Sequence, residues 1–468
     1  MRKLLIIAYY FPPSGGSGVQ RVLKHVKYLP EFGWQPVVLT VSNGLFPARD
    51  ESLLSQVPDS TIVYKSETYE PYNIYRKLTG KKQGVAIDVN TIWKENEKLS
   101  FKEAFANFIR ATFFIPDARV GWLATAGNAI KKIMAEHKID AIYSSSPPYT
   151  CSIIARNAKR KYNLPWIAGF RDPWTEFITQ PVRWWLPALV DRHFERTVFN
   201  EADAVECAWL GIIKDALHKY PQLDKNKFFH IPNGFDSEDF PKCLTQTHSN
   251  NSVIPANAGI PNGSMEGDSC IRRNDMLEKG KFTITYTGAM YGRRNPETFL
   301  QAIESLIQRN EVNPDEIKLK FVGRFGADIE KMFNSVSFPN SIESIPYLPH
   351  GESIKQLIES DVTLLIVDST KESEEIVPGK VYEYVGLRKP VIAIAPPQSA
   401  IAVLMTETGC GRCAAQEDIE SIAQIFKQYY QNWKNSSALI VPDDDAINRY
   451  ERRTGAKSLS DLMNIYVK

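Results

Sequence analysis

The sequence predicts an α/β protein made of two doubly wound, Rossmann-like domains. Three observations lead there. Short, continuous apolar runs recur along the 468-residue chain, and runs without alternation read as strands buried on both faces of a parallel sheet. Segments of helical period lie between them, as βαβ connections require. The pattern breaks off near residue 245 and restarts near residue 281. That suits a length too great for one core and sufficient for about two or three domains.

In order, the first set of strands is "LLIIAYY" (4–10), "QPVVLTV" (35–41), "STIVYKS" (60–66), "IDAIYSS" (139–145), "PWIAGF" (165–170), "DAVECA" (203–208) and "KFFHIPNG" (227–234). Helical stretches such as "VQRVLKHVKYLPEFG" and "WLATAGNAIKKIMAEH" separate them. The second set is "KFTITYTG" (281–288), "IKLKFVG" (317–323), "SIESIPYL" (341–348), "DVTLLIVDS" (361–369) and "KPVIAIAPP" (389–397). The expected division is an N-terminal domain over 1–240, a linker over 241–280, a C-terminal domain over 281–440, and closing helices over 441–468 that pack back on the first domain. Residues 245–280 are rich in Asn, Ser, Gly and Pro without periodicity, the composition of a disordered insertion.

Apolar content of 43% and charged content of 24% belong to a soluble globular protein. A net charge of +2 argues against a nucleic-acid binder, which needs a strong basic field. The six cysteines are scattered, a usage suited to a reducing, cytoplasmic compartment. Cys410 and Cys413 form one Cys-x-x-Cys, but no second pair completes a tetrahedral site, so chance explains it better. "MRKLLIIAYYFPP" has too short an apolar run for a secretion signal and reads as a first strand. With no stretch of about eighteen apolar residues, any membrane contact is expected to be peripheral. Two segments invite such contact, "VRWWLPALVDRHF" (182–194) and "FIRATFFIPDARVGWL" (108–123). Both place Trp or Phe beside basic residues. Core packing of the same aromatics is the competing reading.

Three loops carry chemistry. In "YYFPPSGGSGVQRVLKHV" a strand feeds a Gly-rich loop and then a helix. Gly15, Gly16 and Gly18 suit close approach of a phosphate, or simply a tight turn. In "YTGAMYGRRNPETFLQAI" (286–303) Gly288 opens a second such loop, and Arg293 and Arg294 suit phosphate oxygens or plain solvation. In "EEIVPGKVYEYVG" (374–386) Gly379, Lys380 and Glu383 share one face of a helix that starts at Pro378. Lys380 and the helix N-terminus make an anion site there. Glu383 is placed to accept hydrogen bonds from a ribose diol, and Glu375 to face a sugar hydroxyl.

Together with "FRDPW" (170–174) and "IPNGFD" (231–236), these motifs resemble glycosyltransferase family 4 of the GT-B fold over nearly the whole chain except 245–280. The resemblance implies two Rossmann-like domains facing each other across a cleft. It implies sugar transfer from a nucleotide-sugar to a glycan or lipid-linked acceptor, with retention of configuration and no required metal or other cofactor. Cell-envelope polysaccharide or glycoconjugate synthesis in the cytoplasm, at the inner face of the membrane, is the implied setting. Carried over by position, Glu383 binds the donor ribose, Glu375 the donor sugar, and Gly16 approaches the donor phosphate. Where the family has Arg and Lys after the second domain's first glycine, this sequence has Ala289 and Arg294. Positive charge is therefore expected from Arg294 and Lys380, with Arg293.

Ligands of such sheets sit at the carboxyl ends of the strands. That rule adds Asp172 for the acceptor hydroxyl or donor sugar, held by Arg171, unless the two form a structural ion pair under Trp174. It adds Ser144, Ser145 and Ser146 as donors to an acceptor, and Gly323 and Tyr347 near the nucleobase. "PDDDAIN" contains Asp443-x-Asp445, which reads as helix capping rather than a metal site. His193 and Glu195 lack metal-ligand spacing and read as helix surface. A sugar-nucleotide 2-epimerase of the same fold and a non-catalytic nucleotide-binding scaffold are the alternatives.

Overall fold

A computed structural model describes residues 1–46, 48–69, 101–177, 180–241, 280–290, 294–368 and 371–467. The chain divides into two compact units. Unit 1 comprises Met1–Asn233 and Arg452–Lys468, and unit 2 comprises Gly234–Glu451. Residues 234–240 and 441–451 thus belong to unit 2, and the last helix belongs to unit 1. Most of the expected linker, residues 242–279, lies outside the described residues.

Unit 1 is built on seven parallel strands, β1 (Arg2–Ile7), β2 (Trp34–Val41), β3 (Ile62–Ser66), β4 (Ala141–Ser146), β5 (Trp166–Phe170), β6 (Ala204–Cys207) and β7 (Phe228–His230). Their order is β3-β2-β1-β4-β5-β6-β7, and every pairing is parallel. Leu4 to Ile7 and the whole of β4 and β5 are buried, which explains why these strands show no alternation. The helices are α1 (Ser17–Tyr28), α2 (Phe101–Phe113), α3 (Leu123–Glu136), α4 (Thr150–Tyr162), α5 (Trp185–Glu201) and α6 (Leu210–Lys219). In α1, Val19, Val22, Leu23 and Val26 recur at helical spacing and are all buried.

Unit 2 repeats the plan with β8 (Phe282–Thr287), β9 (Ile317–Gly323), β10 (Ile342–Pro346), β11 (Val362–Ile366), β12 (Val391–Ile394) and β13 (Gly411–Ala414). The order is β10-β9-β8-β11-β12-β13, again all parallel. Its helices are α7 (Glu297–Gln308), α8 (Ala327–Ser335), α9 (His350–Ile358), α10 (Gly379–Gly386), α11 (Ala400–Thr408), α12 (Ile419–Lys434) and α13 (Asp444–Asn448). The Cys-x-x-Cys falls at the edge strand β13, with Cys410 buried just before it. Burial pushes the Cys410 and Cys413 thiols up to about 11. Asp443 caps α13 by accepting from the Ala446 N–H at 2.9 Å.

The last helix, α14 (Arg452–Tyr466), returns to unit 1 and packs along α1. Leu459, Leu462 and Met463 enter the same apolar cluster as Val22 and Val26. Among the described residues no helix is long and apolar enough to cross a membrane.

In each sheet the winding reverses at one point, between β1 and β4 in unit 1 and between β8 and β11 in unit 2. Such reversals open a crevice at the carboxyl ends of the flanking strands. The loops after β1 and β8 and the segment after β11 are the three that the sequence marked.

Candidate functional site

Unit 2 gathers most of the marked residues. β8 delivers Gly288 to its carboxyl end, and β9 delivers Gly323 beside it. The Gly288 N–H donates to the Val322 carbonyl at 2.8 Å. A Cβ at Gly323, whose φ is +152°, would overlap the Gly288 carbonyl oxygen, so the two loops touch through backbone alone. The segment after β11 leads through Glu375, half-buried, to Pro378, which precedes α10 in extended conformation. Gly379 is the first residue of α10, and Lys380 and Glu383 follow on the same face.

Lys380 reaches back to β8. Its Nζ donates to the Thr287 carbonyl at 2.8 Å and sits 3.6 Å from the centre of the Tyr286 ring. Burial holds its ammonium well below the usual lysine range. The charge of Arg294 pushes the same way, and Glu383 opposes. Arg294 comes from the loop after β8, and its Nε is buried without a hydrogen-bond partner. Arg293 lies outside the described residues.

Glu383 faces His350, the first residue of α9, at 3.7 Å from Nδ1. The other ring nitrogen of His350 lies 3.4 Å from Asp239. The sequence reading missed His350, Asp239 and Tyr286. A histidine at a helix start after "YLP" was the available signal for the first. Tyr347 is 43% exposed, with the Arg324 guanidinium 4.9 Å over its ring.

Unit 1 changes the reading of several residues. Gly15 is buried, and its N–H donates to the Ala48 carbonyl at 2.9 Å, so it packs the loop rather than facing a phosphate. Gly16 is exposed at the N-cap of α1 with φ +92°. Gly18 offers its carbonyl to Arg171. Arg171 does not hold Asp172. Its guanidinium instead donates to the Gly18, Ser146 and Pro147 carbonyls, tying the start of α1 and the end of β4 to the segment after β5. Asp172 is half-buried, and loss of water pushes its carboxyl above the usual range, with Arg171 opposing. Trp174 is fully buried and stacks on Tyr149 at 4.7 Å.

The three serines do not reach an acceptor, because all are buried in β4. Ser144 accepts from the Trp166 indole at 3.0 Å, and Ser146 bonds to Ser152 at 2.7 Å. Glu195 is not helix surface either. It is fully buried and accepts from the Thr175 N–H at 3.1 Å and the Tyr220 hydroxyl at 2.8 Å. Burial raises its carboxyl, against the pull of Lys219. His193 is exposed as expected.

Two parallel sheets, each with a Gly-bearing loop at its reversal point, and a cationic helix start in the second match one known group. Residues 16–239 match the family model described as Glycosyltransferase Family 4. Over those residues the chain is similar to glycosyltransferase family 4. None of the curated proteins matches it significantly. Among solved structures, this chain is similar to Anabaena HepE in complex with UDP-glucose, at 12% identity and TM-score 0.56, covering 99% of this chain and 100% of that one. Sucrose-phosphate synthase from Thermosynechococcus elongatus aligns at 11% identity and TM-score 0.55, covering 99% of both chains. The lipopolysaccharide outer core galactosyltransferase WaaB, in its apo form, aligns at 10% identity and TM-score 0.54, covering 99% of this chain and 100% of that one. At such identities the likeness is one of fold, that of GT-B glycosyltransferases.

Proposed function

We propose that the chain transfers a sugar from a nucleoside-diphosphate sugar to a hydroxyl of a glycan or lipid-linked acceptor. In this reading it retains the anomeric configuration, needs no divalent cation, and serves cell-envelope glycan synthesis at the cytoplasmic face of the membrane. One observation carries the proposal. Lys380 and Arg294 converge at the N-terminus of α10, their like charges disfavour each other, and the Arg294 Nε is buried without a partner. A diphosphate supplies what that arrangement lacks.

The chemistry follows from the charge. As the bond from the anomeric carbon to the phosphate oxygen breaks, the nucleoside diphosphate takes the electron pair. Lys380, Arg294 and the first N–H groups of α10 stabilise that charge. The acceptor oxygen bonds to the anomeric carbon from the side the leaving group vacates, and its proton passes to the departing phosphate oxygen. Glu383 holds the ribose diol and Glu375 the donor sugar. On unit 1, Asp172, whose carboxyl binds protons more readily than usual, is the residue proposed to bind a hydroxyl of the acceptor. The UDP-glucose complex of the Anabaena relative supports the donor class, and the lipopolysaccharide transferase supports an envelope acceptor.

A thermal-shift panel of UDP, GDP, ADP and TDP and their sugars, with and without EDTA, tests the reading. Ligands that bind only the folded state raise its apparent stability. The expected result is stabilisation by one nucleotide family, unaffected by EDTA and lost in Glu383→Ala. No response to any nucleotide would replace the transferase with a scaffold. Conversion of a donor sugar with no acceptor present would replace it with an epimerase.

A further inference from the structure

Several exposed large apolar side chains of unit 1 lie together in sequence. Val182 is 96% exposed, Trp185 73% and Leu189 61%. Leu186 and, on α2, Phe108 and Phe113 are exposed as well. Apolar patches of this kind on a folded surface mark interaction sites.

The patch is held outward by a buried polar base. Between Val182 and Trp184, Arg183 turns inward, and its Nε donates to Asp191 Oδ2 at 2.8 Å. Its other nitrogens donate to the carbonyls of Ala111 at 2.7 Å and of Phe114 and Pro116 at 2.9 Å. The Trp184 indole donates to the Thr112 hydroxyl at 2.9 Å, and Asp191 also accepts from the Trp174 indole at 2.9 Å. The ordinary arrangement is inverted here. A satisfied ion pair sits inside, and tryptophan and leucine face water.

The same face of α5 then changes character. Trp185, Leu189, Arg192 and Arg196 follow one another at helical spacing, and all four are exposed. The acids in that stretch, Asp191 and Glu195, are both buried. The outward stripe is therefore apolar at its start and cationic at its end. Glu176 reaches it only by pairing with Arg192.

We propose that this stripe docks unit 1 on an anionic lipid bilayer. Trp185, Leu186 and Leu189 enter the headgroup boundary, while Arg192 and Arg196 meet lipid phosphates. A second copy of the chain fits less well. A two-fold interface presents the same residues from both sides, and the stripe's own acids are turned inward, away from the arginines they would have to meet. The inference stands on this face and not on the donor site.

The test uses the full chain and vesicles of phosphatidylcholine, alone or mixed with phosphatidylglycerol. Co-sedimentation with the mixed vesicles is expected, weakened by added salt. Trp185→Ser with Leu189→Ser is expected to lower partitioning by about tenfold or more. Arg192→Ala with Arg196→Ala is expected to reduce binding to the mixed vesicles and leave the weak binding to neutral ones unchanged. Both variants alter exposed side chains, so an unchanged melting temperature confirms that each is folded. Absence of binding, or equal binding by wild type and both variants, overturns the proposal. A dimer in light scattering that the Trp185→Ser, Leu189→Ser variant loses, without vesicle binding, assigns the face to a second copy instead.

Discussion

Lys380 carries a pH signature that follows from its surroundings. Burial and Arg294 lower its proton affinity. Between that lowered value and the ordinary lysine value, the folded chain binds fewer protons at this site than the unfolded chain. Folding stability contributed here therefore rises with pH through that window. A bound diphosphate restores the charged form, so nucleotide binding is expected to take up a proton in the same window. Calorimetry in buffers of differing ionisation enthalpy measures that uptake, and Lys380→Met should abolish it. Persistence of the uptake in Lys380→Met would move the effect to another group. At this scale the sequence was legible where neighbours are close along the helix, as with Gly379, Lys380 and Glu383. It was silent where partners come from afar. Tyr286 lies under Lys380, and His350 between Asp239 and Glu383, because of strand order, which no local pattern encodes.

Among the elements, the turn after β9 depends on the absence of a side chain. Gly323→Ala places a methyl group against the Gly288 carbonyl in a backbone conformation that L-residues avoid. A cost of about 1–3 kcal/mol is expected, together with loss of the nucleotide-dependent thermal shift, because the loop carrying Arg294 must move. A variant with unchanged melting and unchanged nucleotide response would show that the loops are not coupled. Most strands were readable because buried parallel strands are continuous apolar runs. That same continuity hid which side chains point where. The serines of β4 looked available and are buried, since a strand covered on both faces has no exposed side to advertise. β13 was missed because "GRCA" is short and polar, as edge strands often are. Glu195 sits on a helix whose charged residues suggested surface, and its burial depends on Thr175 and Tyr220 from elsewhere in the chain.

For the whole molecule, the two sheets were predictable from the restart of the strand pattern, but the path between units was less so. The chain passes from unit 1 to unit 2 after Asn233 and returns after Glu451. The two crossings are laced together, with the Phe235 N–H donating to the Tyr450 carbonyl at 3.1 Å and the Ser237 N–H to Glu451 at 3.2 Å. The amphipathic pattern of α14 says only that it packs somewhere. Its target, the face of α1, emerges from the fold. Each fully buried aliphatic side chain on it contributes about 1.5–3 kcal/mol. Ending the chain after Glu451 removes Leu459, Leu462 and Met463 together. Scanning calorimetry is then expected to show the unfolding transition of unit 1 lowered or lost, while a transition responsive to nucleotide remains for unit 2. Two unchanged transitions would show that α14 is dispensable.

The return of α14 also bears on synthesis. A domain made in one stretch folds as it leaves the ribosome, amino end first. Unit 1 is denied that order, because all of unit 2 is translated before the helix that covers α1. During that interval the apolar face of α1 stands open to chaperones and to neighbouring nascent chains. Slow translation or early termination within unit 2 would therefore injure the unit that was made first.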